Sequence, residues 1–270
     1  PALLLSGRAI AQDVPLDLRF EGQSGCAFTG PTNVRDVVLD AATVFLDLTG
    51  APNVRDVVLD GATLYWSTPS NLALESLTIG NNSVLTTPDT TAGVEYGLDL
   101  TVRGEVEVDA TSRIDVSERG YLGGYRGGTD YSGRTYGNVA GAYRCAGGSY
   151  GGLGSVDASG GYDGRGSGVY GDYRNPAELG SGGGAWDGGY RGGDGGGLVR
   201  LTAGTLVLNG SILANGGDTT ATGASYHRGA GSGGGINLRV GVLSGAGEIR
   251  ANGGYSSASS SGSAGGGGRL

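Results

Sequence analysis

The octapeptide NVRDVVLD at residues 33–40 recurs letter for letter at residues 53–60, an offset of 20. A looser third copy follows: Val37, Leu39 and Val44 map onto Val57, Leu59 and Leu64, and then onto Leu77, Ile79 and Val84. Successive copies of so short a motif imply a stacked unit, because one copy alone cannot bury its apolar face and adjacent copies can bury each other's. Each copy reads as strand, turn, strand. Asp60-Gly61 lies between Leu59 and Leu64 and supplies the positive φ of a tight turn, and the flanking β-branched residues favour a pleated backbone. Glu105-Val106-Glu107-Val108-Asp109 shows the alternation most plainly, valine inward and carboxylate outward. Apolar residues nowhere keep helical spacing for three turns, so almost no α-helix is expected.

The expected fold is all-β, a parallel β-solenoid of the β-helix kind, with Val37, Val57 and Leu77 as an inward ladder and Asp36, Asp56, Arg35 and Arg55 as outward columns. A β-sandwich is the alternative. A second repeat lies further on: residues 195–217 are echoed by residues 233–254, with Gly197 and Gly235 38 apart, and GGGGRL at residues 265–270 begins a third copy. The chain opens Pro1-Ala2-Leu3 and stops where that third strand is due, which reads as a processed product or a piece of a repeat protein.

Composition divides the chain into three zones. Residues 1–119 are acidic, with 17 carboxylates against 7 arginines, and are expected to form the solenoid rungs. Residues 120–197 hold 30 of the 60 glycines, 10 of the 14 tyrosines and 6 arginines. They are expected to be a long insertion of ordered loops packed on the solenoid, Tyr rings covering bare glycine backbone and Arg lying on those rings. A three-residue-per-turn glycine helix would place Gly at every third position, whereas Gly133, Gly137 and Gly141 recur every fourth. Residues 198–270 alternate apolar segments with Gly and Ser and read as Gly-punctuated β repeats.

The net charge of -8 and pI near 4.6 argue against nucleic acid, whose phosphates demand clustered cations. No apolar run approaches the ~18 residues needed to span a bilayer as a helix. The chain carries no Lys and a single His, a poor stock for catalysis.

The succession Ile114-Asp115-Val116-Ser117, Gly120-Tyr121-Leu122-Gly123-Gly124, Gly148-Ser149-Tyr150-Gly151-Gly152-Leu153-Gly154, Tyr170-Gly171-Asp172, the run from Pro176 to Gly184 and the two ANGG segments resembles a known pattern. It is similar to the glycine-rich repeat regions of very large secreted or surface proteins of bacteria, some of them named adventurous gliding motility proteins. The resemblance covers roughly residues 100–270 and implies an extracellular or cell-surface setting. It brings no catalytic residue with it.

Candidate chemistry is sparse. A glycosidase needs two carboxylates about one sugar ring, and Asp36, Asp56, Asp40, Asp60, Glu105 and Glu107 are candidates, although solvated strand faces read the same way. His227 would have to serve any hydrolytic triad from within a polar loop, where a surface role is the better reading. Gly192-Gly193-Asp194-Gly195 and Asp163-Gly164-Arg165-Gly166 miss the spacing of calcium-binding glycine repeats. Gly182-Gly183-Gly184 and Gly195-Gly196-Gly197 lack the following helix that phosphate binding requires. Cys26 and Cys145 have no CxxC partner and leave one disulfide or two thiols open. Trp66, Trp186 and the tyrosines suit sugar stacking and glycine packing alike. Thr43 and Thr63 align, but Ser83 ends the column, too short for a flat ice-binding array. No catalytic, cofactor-binding or metal-binding residue is assigned, and no cofactor is expected. The expected function is a non-enzymatic extracellular structural protein, a self-associating building block of a surface fibre, sheath or adhesin, with a surface polysaccharide as the other candidate partner. The alternative is a carbohydrate-binding or carbohydrate-cleaving β-helix protein.

Overall fold

The computed structural model describes residues 16–29, 34–48, 54–68, 72–156, 164–186, 190–219, 228–257 and 262–270; His227 and Asp163 lie outside them. The strand, turn, strand grammar sends alternate strands to two sheets. The first holds β1 (Leu16–Glu21), β3 (Val34–Asp40), β5 (Asp56–Asp60), β7 (Ala73–Leu74), β8 (Ser76–Gly80), β10 (Leu98–Val108), β14 (Leu198–Leu208) and β16 (Gly235–Ser244). The second holds β2 (Ser24–Thr29), β4 (Thr43–Asp47), β6 (Thr63–Trp66), β9 (Val84–Thr86), β11 (Arg113–Asp115), β15 (Ser211–Leu213) and β17 (Glu248–Arg250). Within each sheet strands follow one another in chain order, β7 pairing on β10 beside β8, and every pair is parallel. This departs from the antiparallel pairing of a sandwich. A small antiparallel hairpin, β12 (Ser132–Thr135) and β13 (Val139–Tyr143), stands apart, joined by a single 3-10 turn. The described residues contain no α-helix, and no helix long and apolar enough to cross a membrane.

The ladder expected from the octapeptide is present: Val37 pairs with Val57 and Val57 with Leu77, Leu39 with Leu59 and Leu59 with Ile79. These side chains are essentially inaccessible, and one core cluster joins them to Val44, Leu46, Leu64, Trp66, Leu85 and Ile114 of the second sheet. Glu105 and Glu107 are exposed while Val106 and Val108 are buried, as the alternation requires. Two registers differ from the letter-by-letter alignment. Leu64 faces Leu85 and not Val84, because the turn through Asn81 and Asn82, both at positive φ, is one residue longer than the turn at Gly61. Ser83 therefore takes the place under Ala62, whose amide donates to Ser83 Oγ at 3.0 Å. In the second repeat Leu198 pairs with Gly235, an offset of 37, so that Val199 and Ile236 share the buried column; burial alternation overrides the matching glycine triplets.

The glycine-rich segments of residues 120–197, together with those at 214–217, 229–234 and 263–266, exchange amide hydrogen bonds with one another, and the partner repeats every third residue. Gly229 and Ser232 donate to Gly184 and Ser181, Ala230 and Gly233 to Ser263 and Gly266, Gly231 and Gly234 to Gly217 and Ala214, all between 2.7 and 2.9 Å. Gly193 and Gly196 donate likewise to Gly229 and Ser232, and Gly192 and Gly195 to Gly124 and Tyr121. This is the period of an extended three-residue helix, which has no internal hydrogen bonds and must place its amides on neighbours. Glycine is needed where backbones touch: a Cβ on Gly183 would stand 2.0 Å from Gly229 O, and one on Gly229 1.7 Å from Ala146 O. Spacing along one segment did not disclose the period because alanine and serine fill some of its places. Segments of this kind leave β11, β15 and β17 and lead into β14 and β16, so the bundle is continuous with both sheets. Past β16 the ladder extends once more: Arg269 bridges Gly235 in parallel and accepts the Ile236 amide at 2.9 Å.

Candidate ligand groove

After β11 the chain turns from the second sheet toward the glycine bundle. Glu118, at φ 58, makes the turn, and its amide donates to Asn215 O at 2.9 Å. A non-glycine residue in the left-handed region is uncommon and marks a place where surrounding structure imposes the conformation. The turn walls off a groove of about 570 Å³ whose floor is the outward side of the second sheet, with Thr63 and Tyr65 from β6, Thr86 from β9 and Arg113 and Asp115 from β11. Asp89, Glu118, Arg119, Arg126 and Asp194 close it.

Charges in the groove are largely paired. Arg113 Nε lies 3.2 Å from Asp115, Arg119 pairs with Asp89, and Arg126 Nη1 lies 3.1 Å from Asp194. Among the described residues Glu118 makes no ion pair, so the groove is left with one carboxylate in excess. Burial pushes the Asp194 carboxyl up to about 6, against the pull of the Arg126 guanidinium and the Gly123 amide, which donates at 2.7 Å. Tyr65 stacks on Phe45 at 4.2 Å, and the Arg119 guanidinium lies 5.8 Å from its ring centroid, so aromatic surface is committed to internal contacts. Thr86 Oγ1 is buried with no hydrogen-bond partner among the described residues.

None of the six carboxylates weighed from the sequence lines this groove. Asp36 and Asp56 share a register position on the first sheet, where Asp36 accepts Arg35 Nε at 2.9 Å and Asp56 accepts Ser76 Oγ at 2.6 Å. Asp40 and Asp60 pair at the strand ends, with Asn81 Nδ2 donating to Asp60 at 2.6 Å. Trp66 is a core residue, and Trp186 lies under the Arg144 guanidinium, 4.6 Å from the ring centroid. Among the described residues Cys26 and Cys145 form no disulfide. The described residues contain no group of three or more side chains able to hold a metal. Asp194, whose segment misses the spacing of calcium-binding glycine repeats, is an ion-pair partner of Arg126 inside the bundle. Glu118, Arg119 and Thr86 carried no signal in the sequence, since they meet only through the fold. Among known proteins, no family, curated protein or solved structure matches this chain.

Proposed function

We propose that the chain is a non-enzymatic structural protein of the cell surface or extracellular space, a parallel β-solenoid that serves as a building block of a fibre, sheath or adhesin. The parallel bridge from Gly235 to Arg269 carries the reading, because it repeats beyond β16 the same step that joins β14 to β16. A solenoid grows by adding layers, each buried by the one beneath, and needs no new architecture to lengthen. The buried aliphatic ladders and the glycine bundle give such a unit stiffness. Exposed Val242 and Leu243 on β16 offer apolar surface for a further layer. Sedimentation velocity and negative-stain electron microscopy across a concentration series test this. Rods of constant width and increasing length are expected; a single monomeric species at every concentration refutes it.

Binding of a surface polysaccharide is a second reading, favoured by a polar groove in which Glu118, making no ion pair among the described residues, leaves one carboxylate in excess to accept sugar hydroxyls. A glycan array should return hits that weaken in Glu118→Gln. A reducing-sugar assay separates binding from cleavage. An array with no hits above background removes this reading and leaves the structural one standing.

A further inference from the structure

We propose that a second, smaller pocket receives the head group of an organic cation, a guanidinium or an alkylammonium. The pocket has a volume of about 130 Å³ and is walled by Glu95, Tyr96, Tyr121, Tyr136, Glu178 and Leu198. Its two carboxylates come from separate parts of the chain, Glu95 ahead of the glycine-rich zone and Glu178 within it. Each is held by neutral donors: Tyr121 donates its hydroxyl to Glu95 Oε2 at 3.2 Å, and Tyr150 donates to Glu178 Oε2 at 3.1 Å, joined there by the Ala177 amide at 3.1 Å. Burial and the adjacent carboxylates raise both phenols above their ordinary range, so these hydroxyls keep their protons and act as donors.

Among the described residues neither Glu95 nor Glu178 makes an ion pair, and no arginine lines the pocket. Arg269 is spent elsewhere, its guanidinium 5.4 Å from the Tyr150 centroid and its Nη2 donating to Tyr170 O at 2.7 Å. Two carboxylates beside three tyrosines therefore present negative potential and aromatic surface to one small space. A compact organic cation satisfies both, since it pairs with carboxylate and is attracted to ring faces. A bare metal ion is a poorer fit, because no third ligating side chain joins the carboxylates and hydrocarbon walls do not replace a hydration shell. The same head group arrives free, as a small amine or guanidine, or on an arginine of another polypeptide.

The test titrates methylguanidinium and tetramethylammonium chloride into the intact chain at constant ionic strength, following tyrosine ring resonances by NMR. Sodium chloride and tert-butanol serve as the charge-only and shape-only controls. Saturable binding in roughly the millimolar range is expected for the organic cations, weakened about tenfold in the Glu95→Gln, Glu178→Gln double variant. Should that variant fail to fold, Glu95→Gln alone, at an exposed position, carries the comparison. A Gly-Arg-Gly amide arm separates the sources: binding as tight as methylguanidinium supports arginine on a polypeptide, and binding by the small cations alone supports a free ligand. Equal affinity in the folded variant, equal response to tert-butanol, or shifts that never saturate overturn the proposal. These outcomes are independent of whether rods form.

Discussion

A hydrogen atom in place of a side chain is the structural requirement at Gly183. Its missing Cβ would meet Gly229 O at 2.0 Å, and the obstacle is backbone, which cannot swing aside as a side chain would. Gly183→Ala is expected to destabilise the fold by about 2–4 kcal/mol, by analogy with overpacked cores. Gly267→Ala, with nothing within 4 Å of the added methyl, should stay within about 0.5 kcal/mol. Urea denaturation of the two variants checks the contrast, and equal losses would refute close backbone contact as the cause. Two carboxyls set the pH response at this same scale. Burial opposes ionisation of Asp109, but hydrogen bonds from Asn81, Ser112 and Thr111 prevail and hold it down to about 2. Its folded value lies below the ordinary 3.8, so its contribution is lost as pH falls from about 4 toward 2. Asp194 is raised to about 6, so the folded state binds the extra proton and stability declines as pH climbs from about 4 to 6. Melting temperature against pH should show Asp194→Asn removing decline on the neutral side and Asp109→Asn removing it on the acid side.

The strand is the unit in which the sequence was most legible. Identical octapeptides twenty apart allow one economical arrangement, and β3 and β5 adopt it with Val37 directly paired to Val57. Leu77 continues that ladder between Val57 and Val106 and is 1% exposed. Leu77→Ala should therefore cost about 2–5 kcal/mol, whereas Val58→Thr, on the opposite side of its strand, should cost less than about 1 kcal/mol. A urea series on both variants measures this, and comparable losses would show that the alternation does not set burial. Register was less legible than strand existence. One extra turn residue at Asn82 moves Leu85 into the place expected for Val84, and glycine triplets misalign Leu198 by one. The glycine segments were read as loops because their regularity lies in where each amide points, and its partners lie dozens of residues away. The groove was hidden for the same reason: Thr86, Glu118 and Asp194 belong to three separate segments.

At the scale of the whole molecule two kinds of order meet without a break. In the sheets, side chains alternate and burial is shared between layers; in the bundle, side chains nearly vanish and hydrogen bonding is shared among three neighbours. The segment around Gly231 belongs to both, since it is tied to the bundle on three sides and runs directly into β16. Length changes must then obey a rule that ordinary linkers escape. One residue inserted between Gly231 and Ser232 would turn the amides on one side of it by a third of a turn and aim them at the wrong neighbours, while three would restore every direction. Such a protein can lengthen these segments only in triplets, and an insertion series of one, two and three glycines, ranked by melting temperature, should recover at the third.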